Sequence, residues 1–201
     1  RAAKWTALLG RVVLATALYP LFAIPAKVRD RWAASAPHTL DGAAFIPYVT
    51  QHENGGRASL APDADVIRWL QENVDGSPVI MEAQAAREYL WGNRMSVYTG
   101  LPTVVAWRWH QAQQRMVMPA GTVEARQQDV RDFYNTSDPE HAWAILKKYE
   151  VAYVVLTPYE LLYIPSVETW DTKASAVTKF ETLVDDGRLE VVYEADKAKV
   201  F

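Results

Sequence analysis

Cysteine is absent from this 201-residue sequence. That excludes a disulfide framework and any thiolate metal site, and it fits any redox compartment. Glycine is thinly spread. The nine glycines form neither G-x-G-x-x-G nor a Walker A loop, so no phosphate-cradling turn of those kinds is present. There is no G-x-S-x-G elbow and no H-E-x-x-H helix. Without Cys, a nucleophile would have to be Ser, Thr, Asp, Glu, Lys or Tyr, and none sits in a recognisable frame. A large excess of one charge is missing too. The net charge of -3, with no basic stripe, gives no general attraction to nucleic acid, so no such partner is expected. No motif assigns a cofactor. There is no internal repeat and no low-complexity tract.

What is abundant is apolar and aromatic. Hydrophobic residues make up 50% and charged residues 22% of the chain, with eight Trp and ten Tyr. That composition supports one domain with a good core and an appendage, and the aromatics suit a membrane interface or a stacking surface. The chain begins at Arg1 rather than Met, and is expected to be a piece of something longer.

Trp5 to Ala26 is the most apolar stretch, with Arg11 as its one charge. It reaches the roughly 20 residues a membrane helix needs if Arg11 snorkels to the nearer headgroups. Trp5 and Tyr19 suit the interfaces, and Lys27, Arg29 and Arg31 follow. A cleaved signal peptide fits poorly. The alternative is a buried core helix broken at Pro20. The basic flank after the helix favours a cytoplasmic C-terminal side, while Arg1, Lys4 and Arg11 weigh against it. Residues 1–32 are therefore read as a transmembrane helix with its basic flank.

Residues 33–62 read as linker and loop, with Pro37, Asp41-Gly42, Pro47, Asn54-Gly55-Gly56 and Pro62. His38, Asp41, His52 and Glu53 lie there, at spacings that match no compact metal site. No metal is expected. Residues 63–201 read as an α/β domain. Asp63 would cap a helix whose apolar face holds Val66, Ile67, Trp69, Leu70 and Val74. Val79–Met81 and Val151–Leu156 look like neighbouring parallel strands of a short, mostly parallel central sheet. Ala83–Trp91 reads as helix and Thr103–Trp107 as a strand. Helices are expected at Thr122–Tyr134, after the Ser137-Asp138-Pro139 cap, and at Lys173–Asp186. Tyr159–Pro165 reads as an aromatic loop, and Leu189–Tyr193 with Lys199–Phe201 as a terminal β-hairpin. Helix–strand alternation points to a layered α/β architecture.

The candidate site is the run Arg94–Arg115. It mixes Arg forks, amides, an imidazole and indoles in a pattern that neither an amphipathic helix nor a buried strand requires. Arg94 and Arg115 would face phosphate or carboxylate, or form a salt-bridged scaffold with Glu82. Trp107 would stack on sugar, or pack in the core. His110 and Gln111 would bond hydroxyls. Glu82, at a strand end, is the best-placed acid, and with His110 could form an acid–base pair.

Several phrases together carry a resemblance: T-L-D-G at 39–42, A-D-V-I-R-W-L at 64–70, P-V-I-M-E-A at 78–83, R-M-S-V-Y-T-G-L-P-T-V at 94–104, W-R-W-H-Q at 107–111 and K-Y-E-V-A-Y-V-V at 148–155. The chain resembles the C-terminal end of the YYY membrane protein family, large multi-pass proteins similar in architecture to GT-C lipid-linked-sugar glycosyltransferases. The family often has Glu after the His, where this chain has Gln111. The resemblance implies a last membrane helix followed by an extracytoplasmic domain at the cell membrane. That domain would assist binding of a sugar or lipid-linked sugar. Its partners would be membrane lipid and the remaining membrane helices of the parent. A catalytic acid, in enzymes of that architecture, lies on earlier loops, so this piece alone would be inactive. The rival reading is a membrane-anchored interaction subunit without catalysis.

Overall fold

The computed structural model describes residues 2–53, 55–85, 88–164 and 170–201, with backbone alone at 2 and 170–175. Arg1, Asn54, Ala86, Arg87 and Pro165, each part of a stretch read above, lie outside them. The described chain divides into two compact units, 1–36 and 37–201.

The first unit is one helix, α1 (Ala2–Arg31), which runs through Pro20 and Pro25. It buries none of its apolar stretch and is long and apolar enough to cross a membrane. At 1.5 Å per residue, the 22 residues from Trp5 to Ala26 would span roughly 33 Å, against a hydrocarbon thickness of about 30 Å. A helix apolar on every side is the pattern lipid requires, since its backbone bonds are satisfied internally.

The second unit is an α/β domain built on a four-stranded sheet. Its elements are β1 (Thr50–Glu53), β2 (Gly56–Ser59), α2 (Ala61–Asn73), β3 (Val79–Met81), α3 (Arg94–Thr99), α4 (Arg108–Gln114), α5 (Thr122–Asn135), α6 (Pro139–Lys148), β4 (Val151–Leu156), α7 (Pro158–Tyr163), α8 (Trp170–Asp185), β5 (Tyr193–Ala195) and β6 (Ala198–Val200). The strand order is β3-β4-β6-β5. As expected, β3 and β4 are parallel neighbours, with Ile80 beside Tyr153. The terminal hairpin β5–β6 closes antiparallel on β4 through Val155 and Val200, although its first strand lies at Tyr193–Ala195 rather than at Leu189–Tyr193. Apolar residues cover both sheet faces. On one, Val66, Ile67 and Leu70 of α2 pack with Ile80, Val155 and Val200. On the other, Val130 and Phe133 of α5, Ile145 and Leu146 of α6 and Phe180 of α8 pack with Met81 and Val154.

Polar groups pin these layers. The Tyr134 hydroxyl donates to the carbonyls of Met81 (3.1 Å) and Val155 (2.9 Å), fixing α5 across β3 and β4. Buried Lys179 of α8 donates to the carbonyls of Phe133, Tyr134 and Thr136, two of them at 3.0 Å, and so satisfies the C-terminal end of α5. Asp138 accepts from the Glu140 N–H, as its sequence position suggested.

Four readings are corrected. Residues 33–62 are not all linker: from 37 onward they belong to the second unit, form the antiparallel pair β1–β2, and bury Ile46 and Leu60 in its core. The described part of 83–91 is not helix. Gln84 there is buried, and its amide donates to the carbonyls of Val105 and Ala106, both at 3.0 Å. Gly92 closes the loop, since a Cβ there would meet the backbone nitrogen of Ala85 at 1.8 Å. Residues 103–107 make a single parallel bridge, Thr103 to Ile80, rather than a strand. The aromatic loop from Tyr159 is helix α7, started by a capping box in which Thr157 and Glu160 each bond the other's backbone N–H.

Candidate functional site

The side chains of the site fall into three adjoining groups. The first surrounds Arg94, at the start of α3. Asn93 precedes it in the left-handed region (φ 64°), which Asn tolerates better than most residues. Asn93 donates to the Val105 carbonyl at 2.8 Å, which anchors the helix entrance. Arg94 is buried. Its Nε donates to Asp63, and its Nη2 donates to Glu160 Oε2 at 2.7 Å and to Thr157 Oγ1 at 3.0 Å. Among the described residues its Nη1 has no hydrogen-bond partner, and it lies 4.0 Å from Glu82 Oε2. The guanidinium also stands over the Tyr159 ring, 4.6 Å from its centre. Asp63 is thus an ion-pair partner, not the helix cap expected of it. Glu82 spends its oxygens on backbone: it accepts from Met95 N–H (2.8 Å) and Ser96 N–H (2.9 Å).

One guanidinium therefore faces three buried carboxylates. Burial pushes the Glu82 carboxyl up to about 7, opposed by Arg94 and the two N–H donors. Burial, reinforced by Glu160, likewise raises Asp63 against the pull of Arg94. The cluster is a sealed ionic network able to hold a proton near neutral pH.

The second group is a cleft of about 210 Å³ beside it, lined by Ser96, Thr103, Gln111, Arg115, Thr122 and Arg126 among others. Gly100, left-handed at φ 77°, ends α3 and turns the chain so that the Pro102 carbonyl accepts from Ile80 N–H at 2.8 Å. That contact sets Thr103 on the edge of β3, with Val104–Ala106 as one cleft wall. The end of α4 supplies Gln111 and Arg115, and the start of α5 supplies Thr122 and Arg126. Arg126 is partly committed, donating to the Val104 carbonyl at 3.0 Å and lying over Tyr149. Arg115 is exposed, and its side chain has no hydrogen bond or ion pair among the described residues. Ser96 belongs to both groups, since its N–H bonds Glu82 and the residue lines the cleft.

The third group is aromatic. Trp107 lies 5.1 Å from the Tyr89 ring and 5.8 Å from His110. His110 Nε2 shares a 2.8 Å hydrogen bond with the Tyr89 hydroxyl. The α4 entrance is capped from outside by Glu88, which accepts the Trp109 N–H at 2.9 Å.

Of the six residues singled out from sequence, Gln111 and Arg115 therefore line the cleft, Glu82 and Arg94 lie in the sealed network, and Trp107 and His110 join Tyr89. Glu82 makes no pair with Arg115 or His110. Missed were Asp63 as a partner, Thr157, Glu160 and Arg126. The T-P-Y-E phrase at 157–160, a capping-box pattern, was the available signal for two of them. Among the described residues, no group of three or more His, Cys, Asp or Glu is arranged to hold a metal ion.

No family model and no curated protein matches the chain. Among solved structures, the C-terminal globular domain of the oligosaccharyltransferase from Archaeoglobus fulgidus is similar at 15% identity and a TM-score of 0.41, covering 76% of this chain and 98% of that one. An overlap that loose carries no argument about function.

Proposed function

We propose that this chain is the C-terminal, extracytoplasmic part of a membrane protein of the YYY type, and that its cleft binds the phosphate of a lipid-linked sugar or related lipid phosphate. The observation that carries the reading is Arg115. Among the described residues its guanidinium has no partner, and it lies at the rim of a cleft that also holds Gln111, Arg126 and the hydroxyl of Thr103, while the Thr122 hydroxyl donates to the Pro119 carbonyl at 2.7 Å. Guanidinium donates in a planar fork suited to phosphate, and neighbouring amide and hydroxyl groups complete an anion's shell. The apolar helix α1 supports a membrane setting, and the quoted sequence phrases support the family reading. In this view Arg94 and Glu82 hold the cleft wall through Ser96 and never touch ligand. Catalysis belongs to parts of the parent outside this chain.

The test is calorimetric titration of a short polyprenyl phosphate into the full chain in nanodiscs, with free N-acetylglucosamine as the comparison. A charge-assisted bond contributes about 1.5–3 kcal/mol, so Arg115→Ala should weaken binding by about tenfold or more without moving the melting temperature. Equal affinity in the variant, or binding of the sugar alone, would sink the phosphate reading. Failure of both probes to bind would favour the interaction-subunit alternative.

A further inference from the structure

We infer that the ridge formed by α4 and the turn after it is a membrane-interface contact, with a lipid surface as its occupant. None of the seven residues of α4 is buried. Trp109 is 62% exposed, and beyond the helix Met116 and Val117 are 81% and 98% exposed. A Trp and two large apolar side chains held in water on one short stretch need a reason. An indole with aliphatic neighbours is what partitions into the headgroup–acyl boundary.

The charges around the ridge balance. From 89 to 123 there is no Asp or Glu, while Arg94, Arg108 and Arg115 are present. Of these, Arg94 is sealed in its network, Arg108 is paired with Glu124 at 2.7 Å, and Arg115 has no side-chain partner among the described residues. Glu88, at the edge of the stretch, caps the Trp109 N–H and keeps its negative charge there. With one free cation and one anion the ridge carries little net charge, so its exposed apolar side chains are what a lipid interface takes up.

The chain also supplies a tether. The ridge belongs to the unit that begins at 37, and only residues 32–36 separate that unit from the end of α1. If α1 is embedded, the ridge is confined near a bilayer at high effective concentration, so even weak interfacial affinity is realised. This inference rests on the membrane reading of α1 and is separate from the cleft's ligand. It has one consequence for the cleft. Met116 and Val117 lie between Arg115 and Met118, both of which line it. A ridge seated at the interface sets that wall beside the lipid headgroups, where a lipid phosphate would arrive.

The absence of native Cys makes the test clean, because one introduced thiol carries one label. Val117→Cys and, separately, Val12→Cys in α1 are labelled with an environment-sensitive fluorophore, and each full chain is reconstituted into vesicles containing phosphatidylglycerol. Expected for Val117→Cys is a blue shift and loss of emission to lipids carrying a nitroxide near the headgroup. Both effects should persist in neutral vesicles and in high salt. Expected for Val12→Cys is quenching by nitroxides deep in the acyl chains. A quenched Val12 label beside an unresponsive Val117 label overturns the ridge contact and leaves the anchor standing. If neither label responds, the anchor reading and this inference fall together. A Val117 label already blue-shifted in detergent, with cross-linking between copies, overturns it in favour of self-association.

Discussion

Arg94 shows how a single residue can be noticed for one reason and retained for another. Its chemistry, a guanidinium in a run of polar and aromatic groups, suggested a ligand clamp or a scaffold. Its position settles on scaffold, because the guanidinium is buried and bonded to Asp63, Thr157 and Glu160. Those partners lie 31, 63 and 66 residues away in sequence, and no local pattern connects them. Glu82 was legible as a nearby acid, but its main duty, accepting two backbone N–H groups, depends on where α3 begins. Removing the cation leaves three buried carboxylates with no counter-charge, a loss that costs about 3–5 kcal/mol in comparable buried pairs. Arg94→Met should therefore lower stability by that order in urea unfolding followed by circular dichroism. Arg94→Lys should recover little, since one ammonium cannot reach acceptors that three separate nitrogens now serve or approach. A change no larger than that of a surface pair, under about 1 kcal/mol, would mean the network is dispensable.

At the scale of elements, period and punctuation were informative where burial is one-sided. The apolar face of α2, the Asp138-Pro139 start of α6, the apolar runs of β3 and β4 and their parallel pairing all follow from local pattern. The stretch 83–107 did not, because its conformation is held by distant carbonyls. Gln84 and Asn93 are spent on Val105 and Ala106, and Gly92 is there for a close backbone approach. Such a loop carries no periodicity to read. Glu82 links β3 to α3 across this region, and its raised pKa makes the link pH-dependent. The native state holds the Glu82 proton more tightly than the unfolded chain does. Its contribution to stability is thus fully present below 4.5 and is lost as pH rises through about 7. The urea midpoint of the wild-type chain should fall across that window, and Glu82→Gln, which mimics the protonated form, should flatten the fall. Asp63, raised in the same direction, would leave a residual slope. Parallel profiles for the two proteins would show that Glu82 does not titrate there.

For the whole molecule, the division into an apolar helix and a layered α/β unit was legible from composition, since a run like Trp5–Ala26 has few other uses. The boundary was not. Proline and glycine between 37 and 62 signalled turns, but turns inside a folded unit look locally like turns in a linker. Ile46 and Leu60 decide the matter by being buried. Both apolar clusters and the Arg94 network lie wholly within 37–201, while α1 buries none of its apolar stretch. That predicts a second unit able to fold by itself. Expressed without residues 1–36, it should be monomeric, remain soluble without detergent, and melt cooperatively at close to the temperature of the full chain. The full chain should sediment with membranes and resist extraction by alkaline carbonate, because withdrawing about twenty apolar residues from lipid is prohibitive. The two fractionations are informative together. Aggregation of the shortened chain, with the full chain soluble in detergent-free buffer, would make α1 a core helix whose cover the second unit provides. The membrane setting of the cleft and of the Trp109 ridge would then be lost with it.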